Sequence, residues 1–240
     1  LNYIAAAVPL ADAGSIGVSY IGMNSGDIAK TMADAAGEIT DTNTKFAFSA
    51  SAITLSYANK LKSFMEGNEI IDAISVGLSF KKLSDSETGD NTVDSGIAFD
   101  LGGQYKTPVE GLTAGLVFQN IGPALKSTAS LPMNIKLGGL YQVIPMEEQI
   151  INVVVDLNIG FDGTFMPGFG AEYSPIEQAS IRVGYAKRDF SGVTLGVGLR
   201  YPMEDINPSF DIAYVPTTDF GSTIRFGLTI GLAGIGIEPE

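Results

Sequence analysis

Gly111-Leu112-Thr113-Ala114-Gly115-Leu116-Val117-Phe118-Gln119-Asn120 alternates strictly. Successive side chains of an extended strand point to opposite sides. Leu112, Ala114, Leu116 and Phe118 therefore share one face, and Thr113, Gly115, Val117 and Gln119 share the other. The first face suits lipid and the second suits a polar or glycine-lined interior. The same period returns where Val193, Leu195, Val197, Leu199 and Tyr201 oppose Thr194, Gly196, Gly198 and Arg200. It returns again where Ile224, Phe226, Leu228 and Ile230 oppose Arg225, Gly227, Thr229 and Gly231. Further apolar stripes run through Ile74, Val76, Leu78 and Phe80; Ile97, Phe99, Leu101 and Tyr105; Val153, Val155, Leu157 and Ile159; and Ile181, Val183 and Tyr185.

This pattern predicts about thirteen strands, centred near residues 6, 18, 54, 76, 99, 116, 138, 155, 170, 182, 197, 211 and 227. Lys106 to Gly111 and Pro202 to Pro208 carry the Pro, Gly, Asp and Asn of tight connections. Asn24 to Thr44 and Ser84 to Asp94 are longer polar stretches, as are Lys126 to Leu131 and Lys187 to Gly192 to a lesser degree. Short turns on one rim and longer loops on the other are the mark of a spanning barrel. An odd strand number leaves an edge unpaired, so a fourteenth strand is expected to be missing before Leu1, together with an N-terminal plug. Parity also breaks between Phe46 and Phe48 on one side and Ile53, Leu55 and Tyr57 on the other. That break calls for a bulge around Ser49 to Ala52.

Composition fits this reading and excludes others. Hydrophobic residues make up 45% of the 240 and mean hydropathy is +0.21, yet Gly contributes 29 residues and charged residues only 17%. No apolar run approaches the roughly 18 to 20 residues of a spanning helix. Composition does not shift along the chain, so residues 1–240 read as one domain. With no Cys there is neither a disulfide framework nor a thiolate site, and with no His the commonest general base and zinc ligand are missing. A net charge of -13 repels nucleic acid. The opening residues Leu1 to Pro9 lack the charged region and apolar core of a signal peptide, so the chain reads as mature or truncated.

A water-soluble sandwich or barrel would alternate too. Against it stand the number of uniform strands and an opposite face too rich in Gly to fill a dry core. Tyr105, Tyr141, Tyr185, Tyr201 and Tyr214 fall near strand ends, where interfacial girdles form.

Charge within the strands is not scattered. Lys81, Asp100, Asp156, Glu172, Arg182, Arg200, Asp211 and Arg225 take the inferred lumen face, four acids against four bases. A charge on the lipid face costs a few kcal/mol near the midplane. Lys81 with Asp100, Glu172 with Arg182, and Asp211 with Arg200 or Arg225 lie on sequential strands of opposite sign. A balanced set reads first as ion pairs holding the interior and second as a lumen that tunes what passes. Carboxylates interleaved with bases do not make a glycosidase pair, and no catalytic, cofactor or metal residue is assigned. Asp85 to Asn91 has the composition of a calcium loop without its spacing, and Gly227 to Gly236 is not followed by a helix that would make it a phosphate loop.

The stretch Gly111 to Pro123, which ends in Gln119-Asn120-Ile121-Gly122-Pro123, is followed by Leu131-Pro132 and Ile135-Lys136-Leu137-Gly138. It resembles the PorV/PorQ family of FadL-like barrels. Ser75 to Lys81, Phe99 to Gly102, Gly170 to Tyr173 and Ile181 to Tyr185 add to the likeness. The resemblance runs from the first residues to about Leu232. It implies a fourteen-stranded outer-membrane barrel related to long-chain fatty acid transporters, some relatives of which serve type IX secretion. The N-terminal hatch of such proteins is not in this sequence, and the external loops are short.

The expected fold is thus an all-β antiparallel transmembrane barrel in the bacterial outer membrane, non-enzymatic and without cofactor. Membrane lipid is the expected partner. The resemblance favours a secretion or surface-assembly component that contacts another surface or secreted protein; the alternative is a transporter or porin for a hydrophobic ligand or small solutes.

Overall fold

The computed structural model describes residues 1–33, 39–65, 67–87, 92–123, 125, 130–146, 149–187, 192–203, 205–217 and 221–232. Parts of several sequence features lie outside them: 34–38 of the stretch after Asn24, 88–91 of the acidic segment, 126–129, 188–191, and everything beyond 232.

The strands are β1 (Asn2–Pro9), β2 (Ser15–Asn24), β3 (Ile28–Ala33), β4 (Ile39–Phe46), β5 (Phe48–Lys60), β6 (Ile74–Glu87), β7 (Thr92–Lys106), β8 (Leu112–Ile121), β9 (Asn134–Met146), β10 (Gln149–Gly160), β11 (Phe165–Ile176), β12 (Ala179–Ala186), β13 (Gly192–Arg200), β14 (Ile206–Thr217) and β15 (Gly221–Leu232). Thirteen of them form one antiparallel sheet in the order β1-β2-β5-β6-β7-β8-β9-β10-β11-β12-β13-β14-β15, each expected strand centre having its counterpart. No described helix is long and apolar enough to cross a membrane.

The sheet is not closed: β1 and β15 are its edges and do not pair with each other among the described residues. Thirteen alternating strands leave these two running in the same direction. A fourteenth strand opposed to both would restore the antiparallel order, whereas direct contact would need a parallel seam.

Two expectations fail. The stretch after Asn24 is not simply loop, because β3 and β4 pair there as a separate hairpin, Ile28 opposite Phe46. The bulge at Ser49 to Ala52 does not exist: β5 keeps unbroken register with β2 and β6. The parity conflict dissolves because Phe46 belongs to the hairpin and Phe48 lies on the inner side of β5. Strand also takes up much of Ser84 to Asp94, since β6 runs to Glu87 and β7 starts at Thr92.

Connections 10–14, 107–111 and 177–178 are short and share one rim, here the turn rim, where β9 ends and β10 begins and where β13 ends and β14 begins. The opposite rim carries the β3–β4 hairpin, residues 130–133 ahead of β9 and the turn 161–164, and is called the hairpin rim.

What faces outward decides the solvent. Leu116 is 39% exposed, Val197 48% and Phe226 69%, and aliphatic and aromatic side chains repeat along the same face of nearly every strand. Among the described apolar residues only Ala98 and Leu131 are buried. A water-soluble sheet with so little dry core lacks the hydrophobic burial that offsets chain entropy. Hydrocarbon against the outer face supplies that burial, as in a membrane-spanning barrel wall. Tyr105, Tyr141 and Tyr201 stand near the turn rim, and Tyr185 and Tyr214 near the hairpin rim, at the levels where girdles form.

Candidate functional site

The eight charged residues read as lumen-facing gather into two clusters on the inner face, with three of them apart. In the first cluster, Lys81 of β6 and Asp100 of β7 form an ion pair of 2.6 Å. The register explains the geometry: Lys81 is opposite Ala98 and Asp100 is opposite Ser79, so the long Lys side chain reaches its partner diagonally.

The residues of the family-like motif complete this cluster, which the sequence did not foretell. Between Phe99 and Leu101 the β7–β8 register slips, and β8 bulges at Gln119-Asn120. Asn120 takes φ 57°, a left-handed conformation that Asn tolerates better than most residues. The slip turns its backbone N–H to Asp100 Oδ1 at 2.9 Å, and its side-chain Oδ1 accepts from Lys81 Nζ at 2.9 Å. Asn120 Nδ2 donates onward to the Pro132 carbonyl at 2.9 Å. The chain after β8 is thereby tied to the inner wall. At Gly122 an added Cβ would lie 2.4 Å from the Ile97 carbonyl oxygen and 3.0 Å from Leu131 Cδ1, so only Gly permits this approach. Leu131 and Ala98 both lie beside Gly122, and they are the two buried apolar residues among those described. Pro123 continues the connection, and Gln119 pairs with Asn134 at the start of β9.

The second cluster spans β9 to β14. Gln142 Nε2 donates to Asn152 Oδ1 at 3.1 Å, and Asn152 Nδ2 donates to Glu172 Oε1 at 2.9 Å. Arg182 Nε donates to Glu172 Oε2, its directly opposed neighbour on β11. Arg182 Nη1 donates to Asp211 Oδ1 on β14. Asp211 is thus paired with Arg182, not with Arg200 or Arg225 as the strand sequence suggested. The cause is Gly198 on the intervening β13: an added Cβ there would lie 2.7 Å from Asp211 Oδ1 and 3.0 Å from Arg182 Nη2. With no side chain in the way, the guanidinium crosses a whole strand.

This bar of charge lies between two cavities. Toward the hairpin rim is a cavity of about 590 Å³ with an apolar lining that includes Leu140, Val154 and Val215, and Arg225 lines it too. Toward the turn rim is a smaller, polar one of about 270 Å³ that includes Gln142, Arg200 and Ser209. Asn152, Glu172, Arg182 and Asp211 line both. Asp156 lies apart on the inner face of β10, between Gly138 of β9 and Gly168 of β11. Asp156, Arg200 and Arg225 form no salt bridge among the described residues. No group of three or more potential metal ligands is gathered among the described residues.

No family model matches the chain, and no curated protein is similar to it, so the PorV/PorQ resemblance finds no support there. Among solved structures the chain is similar to an outer-membrane channel from Pseudomonas putida. The identity is 14% and the TM-score 0.48, over 93% of this chain and 95% of that one.

The uncharged Gln142, Asn152 and Asn120, which no charge pattern marks, carry much of the hydrogen bonding. A signal for Asn152 was present: Asn152, Asp156 and Asn158 share one face of β10, interrupted only by Val154, opposite Val153, Val155 and Ile159. Nothing in the sequence marked Asn120 as a bulge.

Proposed function

We propose that this chain forms the wall of an outer-membrane β-barrel channel, non-enzymatic, through which small solutes pass along the inner face between β9 and β15. One observation carries this reading. The outward face is apolar and exposed, while the inward face holds two adjoining cavities divided by the Glu172–Arg182–Asp211 bar. Charges lining a pore sort solutes by sign and shape. The larger cavity suits an apolar portion of a solute and the bar suits a polar one. The hairpin rim is assigned to the exterior, because outer-membrane barrels keep their shorter turns on the periplasmic side.

Reconstitution of the purified protein into planar bilayers tests the proposal. Stepwise single-channel conductance in KCl is the expected result. A heat-modifiable, lipid-inserted protein that gives no conductance with any ion or solute would overturn it.

A second reading, the surface-assembly role of the PorV/PorQ type, is favoured by the β3–β4 hairpin and the long β6 and β7, which put strand and polar surface on the hairpin rim. Capture of a defined surface protein by the intact barrel, lost when residues 26–46 are replaced by a short Gly-Ser linker, would support it.

A further inference from the structure

We propose that the polar cavity at the turn rim is a binding site for a small solute of the amino-acid type, one bearing both an ammonium and a carboxylate, and that members with a net positive charge bind best. The inference rests on the channel reading and names a class of solute for it.

Size comes first. About 270 Å³ lies just below the roughly 300 to 1,000 Å³ of pockets for drug-sized ligands, so the occupant is small. No aromatic side chain lines the cavity, which removes the stacking face used for planar or apolar ligands. Its lining instead offers hydroxyls of Ser174, Ser180 and Ser209 and carries charge of both signs.

The placement of charge then selects the class. Arg182 is committed to Glu172 and Asp211. Arg200 and Glu177 form no salt bridge among the described residues, and both line the cavity. The Arg200 backbone N–H donates to the Gln178 carbonyl at 2.8 Å, which fastens the end of β13 to the β11–β12 turn that bears Glu177. The lining thus holds a guanidinium that can take a carboxylate, Arg200, and a carboxylate that can take an ammonium, Glu177. Of the charged groups lining the cavity, three are carboxylates and two are guanidiniums, leaving one excess negative charge. A zwitterion offers a partner to each of these two groups, and one further positive charge on the solute balances the excess.

The test uses the full barrel in detergent for calorimetric binding and in planar bilayers for block of the KCl conductance. The probes are L-lysine, L-alanine, L-glutamate and D-glucose. Lysine is expected to bind and block most strongly, alanine more weakly, glutamate least, and glucose not at all. Arg200→Gln and Glu177→Gln should each weaken lysine binding about tenfold in a protein that remains heat-modifiable, and Arg200→Lys should restore part of it. Conductance without amino-acid binding, equal binding of all four probes, or lysine binding untouched by both variants would overturn this inference and leave the channel standing. Absence of any conductance would overturn the channel reading instead, whatever binds.

Discussion

The two inner clusters use the same chemistry to different ends. Around Lys81 and Asp100 the side chains are 17% and 13% exposed, and Asn120 hydrogen-bonds to both of them and to the Pro132 carbonyl beyond β8. Around Arg182 the side chains are 42% exposed for Arg182, 27% for Glu172 and 36% for Asp211, with a cavity on either side. An ion pair shut away from water holds structure. One left open to the lumen can also meet a solute. Charge on an inner face does not by itself distinguish the two, and enclosure does.

The largest expected effect follows from breaking the closed cluster. Lys81→Met leaves Asp100 enclosed without its counter-charge and should cost about 3 kcal/mol in a guanidinium unfolding titration in lipid or detergent. Replacing both partners with apolar residues should recover most of that loss. Gly122→Ala comes next, at about 2 kcal/mol by the same titration, because the Ile97 carbonyl is backbone and cannot yield as a side-chain tip would.

Arg182→Met should cost less in stability, about 1 kcal/mol, since lumen water screens the carboxylates it leaves behind. Its main effect should be on selectivity. Two uncompensated carboxylates would then face both cavities, so the bilayer reversal potential in a KCl gradient should move toward that of potassium. If Lys81→Met altered selectivity while Arg182→Met altered only stability, the comparison would be reversed.

The smallest effect concerns neither cluster and serves as a control on titration. In the β10–β11 turn, Asp162 accepts hydrogen bonds from the Thr164 backbone N–H at 3.0 Å and its hydroxyl at 2.8 Å. These bonds hold its carboxyl below the ordinary value of 3.8. A carboxyl lowered in the folded state adds to stability above its unfolded value, and the contribution fades as pH falls through the folded one. The Thr164 amide resonance should therefore titrate with a midpoint under 3.8, and Asp162→Asn should abolish that titration.

Most of the sheet could be read from the sequence because lipid imposes a strict rule, apolar outward at every second residue. That rule located thirteen strands and set Lys81, Asp100, Glu172, Arg182 and Asp211 on the side opposite the apolar face. It failed where no lipid face is required. The β3–β4 hairpin stands on the rim and carries too weak an alternation to separate it from loop, which in turn produced the false bulge in β5. The partner of Asp211 was missed for a different reason. Nearest-strand pairing assumes that every strand between two charges carries a side chain, and Gly198 removes that obstacle. The Asn120 bulge depends on how the chain after β8 folds back onto β7, a tertiary contact that no local pattern records.

The central claim is that hydrocarbon bathes one face of the sheet and water the other. The chain contains no Cys, so single substitutions can carry a spin label without interference. Leu116→Cys, Val197→Cys and Phe226→Cys, compared with Asn152→Cys and Thr194→Cys in lipid vesicles, allow oxygen and a water-soluble nickel chelate to compete as relaxation agents. Oxygen is expected to dominate at the first three positions and nickel at the last two. Nickel dominance at Leu116, Val197 and Phe226 would contradict it.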